Sequence, residues 1–121
     1  MSRSPSLFTL LATTTLALTT QQALAHAHLV KSDPVAYAVV SAPKLIHLEF
    51  TESLTRKFSS FKLTDTDGNA VALTPVDSKD AKVLEATPNA ALEPGLYTIT
   101  WTAVSTEDGH KMTGNFSFTI K

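Results

Sequence analysis

Two stretches near the C-terminus alternate strictly between apolar and polar residues. That alternation constrains the fold more than any other feature of the chain. Tyr97, Ile99, Trp101 and Ala103 are separated by Thr98, Thr100 and Thr102, and Phe116, Phe118 and Ile120 by Ser117 and Thr119. A period of two sends successive side chains to opposite faces of a strand, so each stretch offers one aromatic-rich face for burial and one Thr/Ser face for water. Ile46, Leu48 and Phe50 alternate with His47 and Glu49 in the same way, and Phe61 and Leu63 with Lys62 and Thr64. Weaker strands are expected over His28–Ser32, Val71–Val76 and Ala81–Ala86. Turn signals separate them: Asp33-Pro34, Ala42-Pro43, Asp67-Gly68-Asn69, Pro88-Asn89, Pro94-Gly95 and Asp108-Gly109. No segment holds a helical period. About seven short strands at this spacing predict an all-β, Greek-key β-sandwich. Leu92, Pro94, Gly95 and Tyr97 fit a tyrosine corner, a device of such folds.

The N-terminal segment has a different character. Arg3 precedes an apolar, Thr-interrupted run from Leu7 to Leu18, and Ala23-Leu24-Ala25 follows. The run is too short to span a bilayer and has the length of a secretory core, while small-x-small is the pattern that signal peptidase reads. Residues 1–25 are therefore expected to be a cleaved signal peptide and residues 26–121 a single exported domain. Ala25-His26-Ala27 is also small-x-small, so cleavage after Ala27 is the alternative on these residues alone.

Composition removes several classes of chemistry. The chain has no cysteine, which excludes disulfides, thiolate nucleophiles, zinc-thiolate sites, iron–sulfur clusters and blue-copper centres. A formal charge of -1 without a basic run makes nucleic acid an unexpected partner, and the four glycines form no phosphate-binding loop. No feature marks a self-association surface, so a monomer is expected.

The histidines carry the remaining chemistry. Cleavage after Ala25 would create a free α-amine on His26, and the amine and ring nitrogen of one residue can chelate one metal ion. Asp108-Gly109-His110 places a carboxylate and an imidazole two residues apart, where an extended or turned chain can point both the same way. Amine, two imidazoles and a carboxylate suit Cu(II) and are poor ligands for Cu(I). His28 is a candidate additional ligand. A free His26-Ala27-His28 terminus can also bind copper unaided, through its amine, two deprotonated amides and the His28 ring. His47 lies on the polar side of its strand and is expected to be a surface residue. Trp101 and Met112 are expected to pack in the sandwich.

From HAHLVKSDP through LIHLEFTESLTRKFSSFKLT to LEPGLYTITWTAVSTEDGHKMTGNFSFTIK, the sequence resembles the CopC/PcoC family of periplasmic copper-binding proteins, including its YobA-like branch. The most specific block is W-x-x-x-S…D-x-H-x-x-x-G-x-[FY]-x-F. The resemblance implies a cupredoxin-like, immunoglobulin-like sandwich. It also implies a Cu(II) site on His26, Asp108 and His110, and favours cleavage after Ala25. It further implies a periplasmic copper carrier acting in copper homeostasis and resistance, with an inner-membrane CopD-like transporter as partner, and no enzymatic activity. Several members carry a Met-rich segment for Cu(I). Here the methionines are Met1 and Met112 alone, so a Cu(II) site without a Met-rich Cu(I) site is expected.

Two other functions fit parts of the pattern. An N-terminal His with a second imidazole is also the metal motif of histidine-brace oxygenases acting on polysaccharides. Against that reading, Asp108 would fill a position that oxygen activation needs open, and the chain offers no exposed aromatic platform. The other is a secreted sandwich with adventitious copper at its HAH terminus.

Overall fold

Alternation becomes two packed sheets in the computed structural model, which describes residues 26–121. The expected signal peptide at residues 1–25 lies outside the described residues. The strands are β1 (Leu29–Asp33), β2 (Val39–Val40), β3 (Ile46–Phe50), β4 (Ser60–Thr64), β5 (Ala70–Val71), β6 (Leu73–Val76), β7 (Val83–Pro88), β8 (Gly95–Val104) and β9 (Lys111–Ile120). A 3-10 turn at Arg56–Phe58 is the sole helical element among the described residues. One sheet has the order β1-β3-β7-β6 and the other β2-β9-β8-β4-β5. The expected sandwich is therefore observed.

The strands form where the alternation predicted them. Ile46, Leu48 and Phe50 are buried on β3, and Tyr97, Ile99, Trp101 and Ala103 on β8. They meet between the sheets with Leu63, Phe118 and Ile120 in one core cluster. Each fully buried Leu, Ile or Phe contributes roughly 1.5–3 kcal/mol, so this layer drives the sheets together. Phe50 packs edge-on against Trp101 with ring centroids 5.1 Å apart. Trp101 pairs with Gly114 across β8 and β9, and a Cβ at position 114 would lie 2.4 Å from the indole. Only glycine lets the ring cross β9 so closely. The Tyr97 hydroxyl donates to the Glu93 carbonyl at 2.7 Å, which completes the expected tyrosine corner.

The expected Val71–Val76 strand is instead two. Its chain leaves β4 after Val71 and joins β7 from Leu73, so β5 and β6 belong to different sheets. Pro75 is tolerated in β6 because that strand is the edge of its sheet. The short β2, parallel to β9, carries no alternation that a sequence could reveal.

Two features position one end of the sandwich. The hairpin of β8 and β9 runs in unbroken register from Gly95↔Ile120 to Val104↔Lys111, so its connecting loop projects from a rigid ladder. The Arg56 guanidinium donates to the carbonyls of Val83 at 3.1 Å, Ser78 at 2.9 Å and Asp80 at 2.6 Å. These bonds fix the connector between β3 and β4 against the loop before β7.

Candidate metal centre

Three separate pieces of chain meet at that end: residues 26–28, the connector after β3, and the β8–β9 loop. Antiparallel pairing of Leu29 with Phe50 brings His28 beside Thr51. The His28 N–H donates to Thr51 Oγ1 at 3.0 Å, and that hydroxyl donates to the His26 carbonyl at 3.2 Å. The Thr51 N–H in turn donates to the His28 carbonyl at 2.9 Å. Ala27 is fully buried and belongs to the core cluster. In this extended segment, burying Ala27 leaves His26 and His28 on the other side.

The β8–β9 loop is pinned to the same connector. Thr55 N–H donates to the Val104 carbonyl at 2.8 Å, and Thr106 N–H to the Ser53 carbonyl at 3.0 Å. Leu54 and Ser105 form an isolated bridge, and Ser105 is completely buried. The Glu107 N–H donates to Ser105 Oγ at 3.3 Å. The turn closes through Gly109, whose φ of 68° is left-handed and whose N–H donates to the Ser105 carbonyl at 3.0 Å. That conformation suits glycine and reverses the chain between Asp108 and His110.

The result is a cluster of His26, Asp108 and His110, with one potential ligand atom from each lying within 4.8 Å of the others. Asp108 divides its two oxygens between two tasks. Oδ1 accepts the His110 N–H at 2.9 Å, which sets the carboxylate in place. Oδ2 lies 3.7 Å from His26 Nδ1 and 3.6 Å from His110 Nδ1. The two imidazole rings stack with centroids 4.9 Å apart.

These distances are too long for hydrogen bonds. They are close to the ~3–4 Å separating two ligands that each lie about 2 Å from one ion. His26 Nδ1 is moreover buried without a hydrogen-bond partner. Leaving a buried polar atom unpaired costs about 1–3 kcal/mol, so such an atom calls for a partner. A cation held jointly by the ring nitrogens and the carboxylate is such a partner, and the donors fit it.

The structure thus brings together His26, Asp108 and His110, residues 84 positions apart at the extremes (110 − 26 = 84). His28 is exposed and stands outside the three-residue cluster, its ring edge-on to His26 at 6.4 Å between centroids. His47 is only partly exposed and faces Glu85 and Glu49 elsewhere on the sandwich. Trp101 is buried and Met112 packs against the core, as expected. Sequence reasoning missed the supports: Ala27, Thr51, Ser53 and Ser105. Ser105 stands in the W-x-x-x-S block and Ala27 in a small-x-small triplet, but neither pattern reveals a supporting role, and only the β1–β3 register reveals that Thr51 faces His28.

A family model described as the CopC domain matches residues 29–121. The chain is 41% identical over 107 residues to Copper resistance protein C of Escherichia coli, spanning 82% of this chain and 84% of that protein. It is 37% identical over 123 residues to Protein YobA of Escherichia coli strain K12, spanning 99% of this chain and 98% of that protein. Among solved structures it is similar to PcoC, described as a methionine-rich copper resistance protein from Escherichia coli. That match has a TM-score of 0.73 and 40% identity, and covers 79% of this chain and 99% of PcoC.

Proposed function

The chain belongs to the CopC family, and from that membership and the geometry at His26 we propose that it is a periplasmic Cu(II) carrier. Removal of residues 1–25 would free the His26 amine. Amine and Nδ1 then chelate the ion, His110 supplies a third nitrogen and Asp108 Oδ2 an oxygen. Three nitrogens and a carboxylate favour Cu(II) over softer ions. The observation that carries this reading is the buried, unpartnered His26 Nδ1 facing the Asp108 carboxylate beside His110.

Copper is cargo in this reading and the protein is not an enzyme. Asp108 takes a donor place that oxygen chemistry requires open. PcoC is described as methionine rich, whereas this chain has two methionines, and Met112 is packed against the core. Soft thioethers select Cu(I), so no Met-rich Cu(I) site is assigned. The His110 side chain is 64% exposed, which lets a recipient reach the ion. The recipient that family membership supports is an inner-membrane CopD-like transporter, approached by a monomeric carrier.

A competitive Cu(II) titration with EPR, on the chain beginning at His26 and on His110→Ala, tests the assignment. One tightly bound Cu(II) is expected, with affinity falling about ten- to several-hundred-fold in the variant, as loss of one ligand commonly costs a few kcal/mol. Equal affinities, with the spectrum of a short HAH peptide, would assign the copper to the tail alone.

A further inference from the structure

The HAH terminus has two ways to hold copper, and they exclude each other. In the folded mode the amine and Nδ1 of His26 act with Asp108 and His110. In the wrapped mode the amine, the Ala27 and His28 amide nitrogens and the His28 ring surround the ion. Each amide then gives its proton to solvent as its nitrogen bonds to copper. The wrapped mode needs no fold, and every atom it uses is present in residues 26–28.

Resting on the carrier reading, we infer that Thr51 is the positioning residue that selects the folded mode, by holding residues 26–28 extended and their amides out of reach. Its hydroxyl is committed at both ends, accepting the His28 N–H at 3.0 Å and donating to the His26 carbonyl at 3.2 Å. The wrapped mode requires that same His28 nitrogen. Its other amide belongs to Ala27, a residue buried completely in the core. Curling the segment around an ion would break both hydroxyl bonds and lift Ala27 out of its packing. It would also break the 2.9 Å bond from the Thr51 N–H to the His28 carbonyl. The Thr51 hydroxyl is taken up by the His28 N–H and the His26 carbonyl, so it acts on copper through the backbone of its ligand.

The role has a spectroscopic signature that simple loss of stability lacks. Deprotonated amides are strong-field donors, so the wrapped mode moves the Cu(II) visible band to shorter wavelength and adds nitrogen hyperfine lines to the EPR spectrum. The experiment uses Cu(II) and the chain beginning at His26, with Thr51→Val, Thr51→Ser and His110→Ala singly and in combination. Valine keeps the shape but removes the hydroxyl; serine restores it. Thr51→Val should show the wrapped spectrum, and Thr51→Ser the wild-type one. The loss caused by His110→Ala should shrink from at least about tenfold in the wild type to under about threefold beside Thr51→Val, a coupling that a double-mutant cycle reads directly. Adding His28→Ala to Thr51→Val removes the wrapped ligand and should return the folded spectrum.

A folded Thr51→Val protein that keeps the wild-type spectrum and full dependence on His110 would overturn the inference. A wild-type protein that itself shows the wrapped spectrum, indifferent to His110→Ala, would instead overturn the carrier site. Should Thr51→Val fail to fold, hydrogen exchange on the unaltered chain still decides. The His28 amide should exchange at least about tenfold more slowly than in a free HAH peptide, and an unprotected amide would refute the assignment.

Discussion

Two clusters in this molecule combine histidine with carboxylates, and they end in opposite arrangements. On the outer face of the four-stranded sheet, His47 lies directly across from Glu85, with Glu49 two residues along its own strand. His47 Nδ1 faces Glu85 Oε2 at 3.3 Å and Nε2 faces Glu49 Oε2 at 3.9 Å. Each ring nitrogen has its own carboxylate, on opposite sides of the ring, so no common point collects them. At the sandwich end, two rings instead turn Nδ1 toward one oxygen of Asp108. Both clusters use the same two chemical groups, imidazole and carboxylate. A pleated strand fixes side chains on a lattice about 5 Å apart, which suits pairwise contacts. Convergence requires the chain to leave the sheet, as it does at Gly109 and at the segment before β1.

The contrast can be sharpened by experiment. Proton competition gives the largest expected effect, because an amine and two imidazoles must be unprotonated to bind the ion. Cu(II) affinity should fall at least about a hundredfold from pH 7 to pH 5 in competition titrations, and a flat profile would rule out amine ligation. Retaining Ala25 ahead of His26 turns the His26 amine into a peptide amide and should weaken binding about a hundredfold, or about 2.7 kcal/mol. Asp108→Asn keeps an oxygen for the His110 N–H but removes the charge between the rings. About a tenfold loss is expected, with little change in thermal midpoint. His47→Ala should leave copper affinity within about twofold. It should cost no more than about 1 kcal/mol in denaturant unfolding, as partly exposed ion pairs do. A copper loss at His47 comparable to that at Asp108 would erase the distinction between the clusters.

The same contrast explains what was legible in the sequence. Strands β3, β8 and β9 announce themselves because burial on one face writes a period of two into the residues, from Ile46 to Phe50 and from Tyr97 to Ala103. The division between β5 and β6 left no such trace, since Val71 and Leu73 are both apolar and only their partners, Leu63 and Pro88, assign them to different sheets. At the site, Asp108 and His110 could be singled out by their spacing, and His26 by its place after the small-x-small pattern. Thr51 could not. Its role comes from one register pairing, Leu29 with Phe50, which joins segments more than twenty residues apart.

The distance in sequence between His26 and Asp108 has a consequence for the chain as a polymer. An ion bonded to both would close a loop of 82 residues (108 − 26 = 82) in a protein that has no cysteine. A clip of that span restricts the unfolded chain as a disulfide would, by roughly 4–5 kcal/mol in the loop-entropy description. Loading would then staple the domain shut, and handing over the cargo would remove the staple.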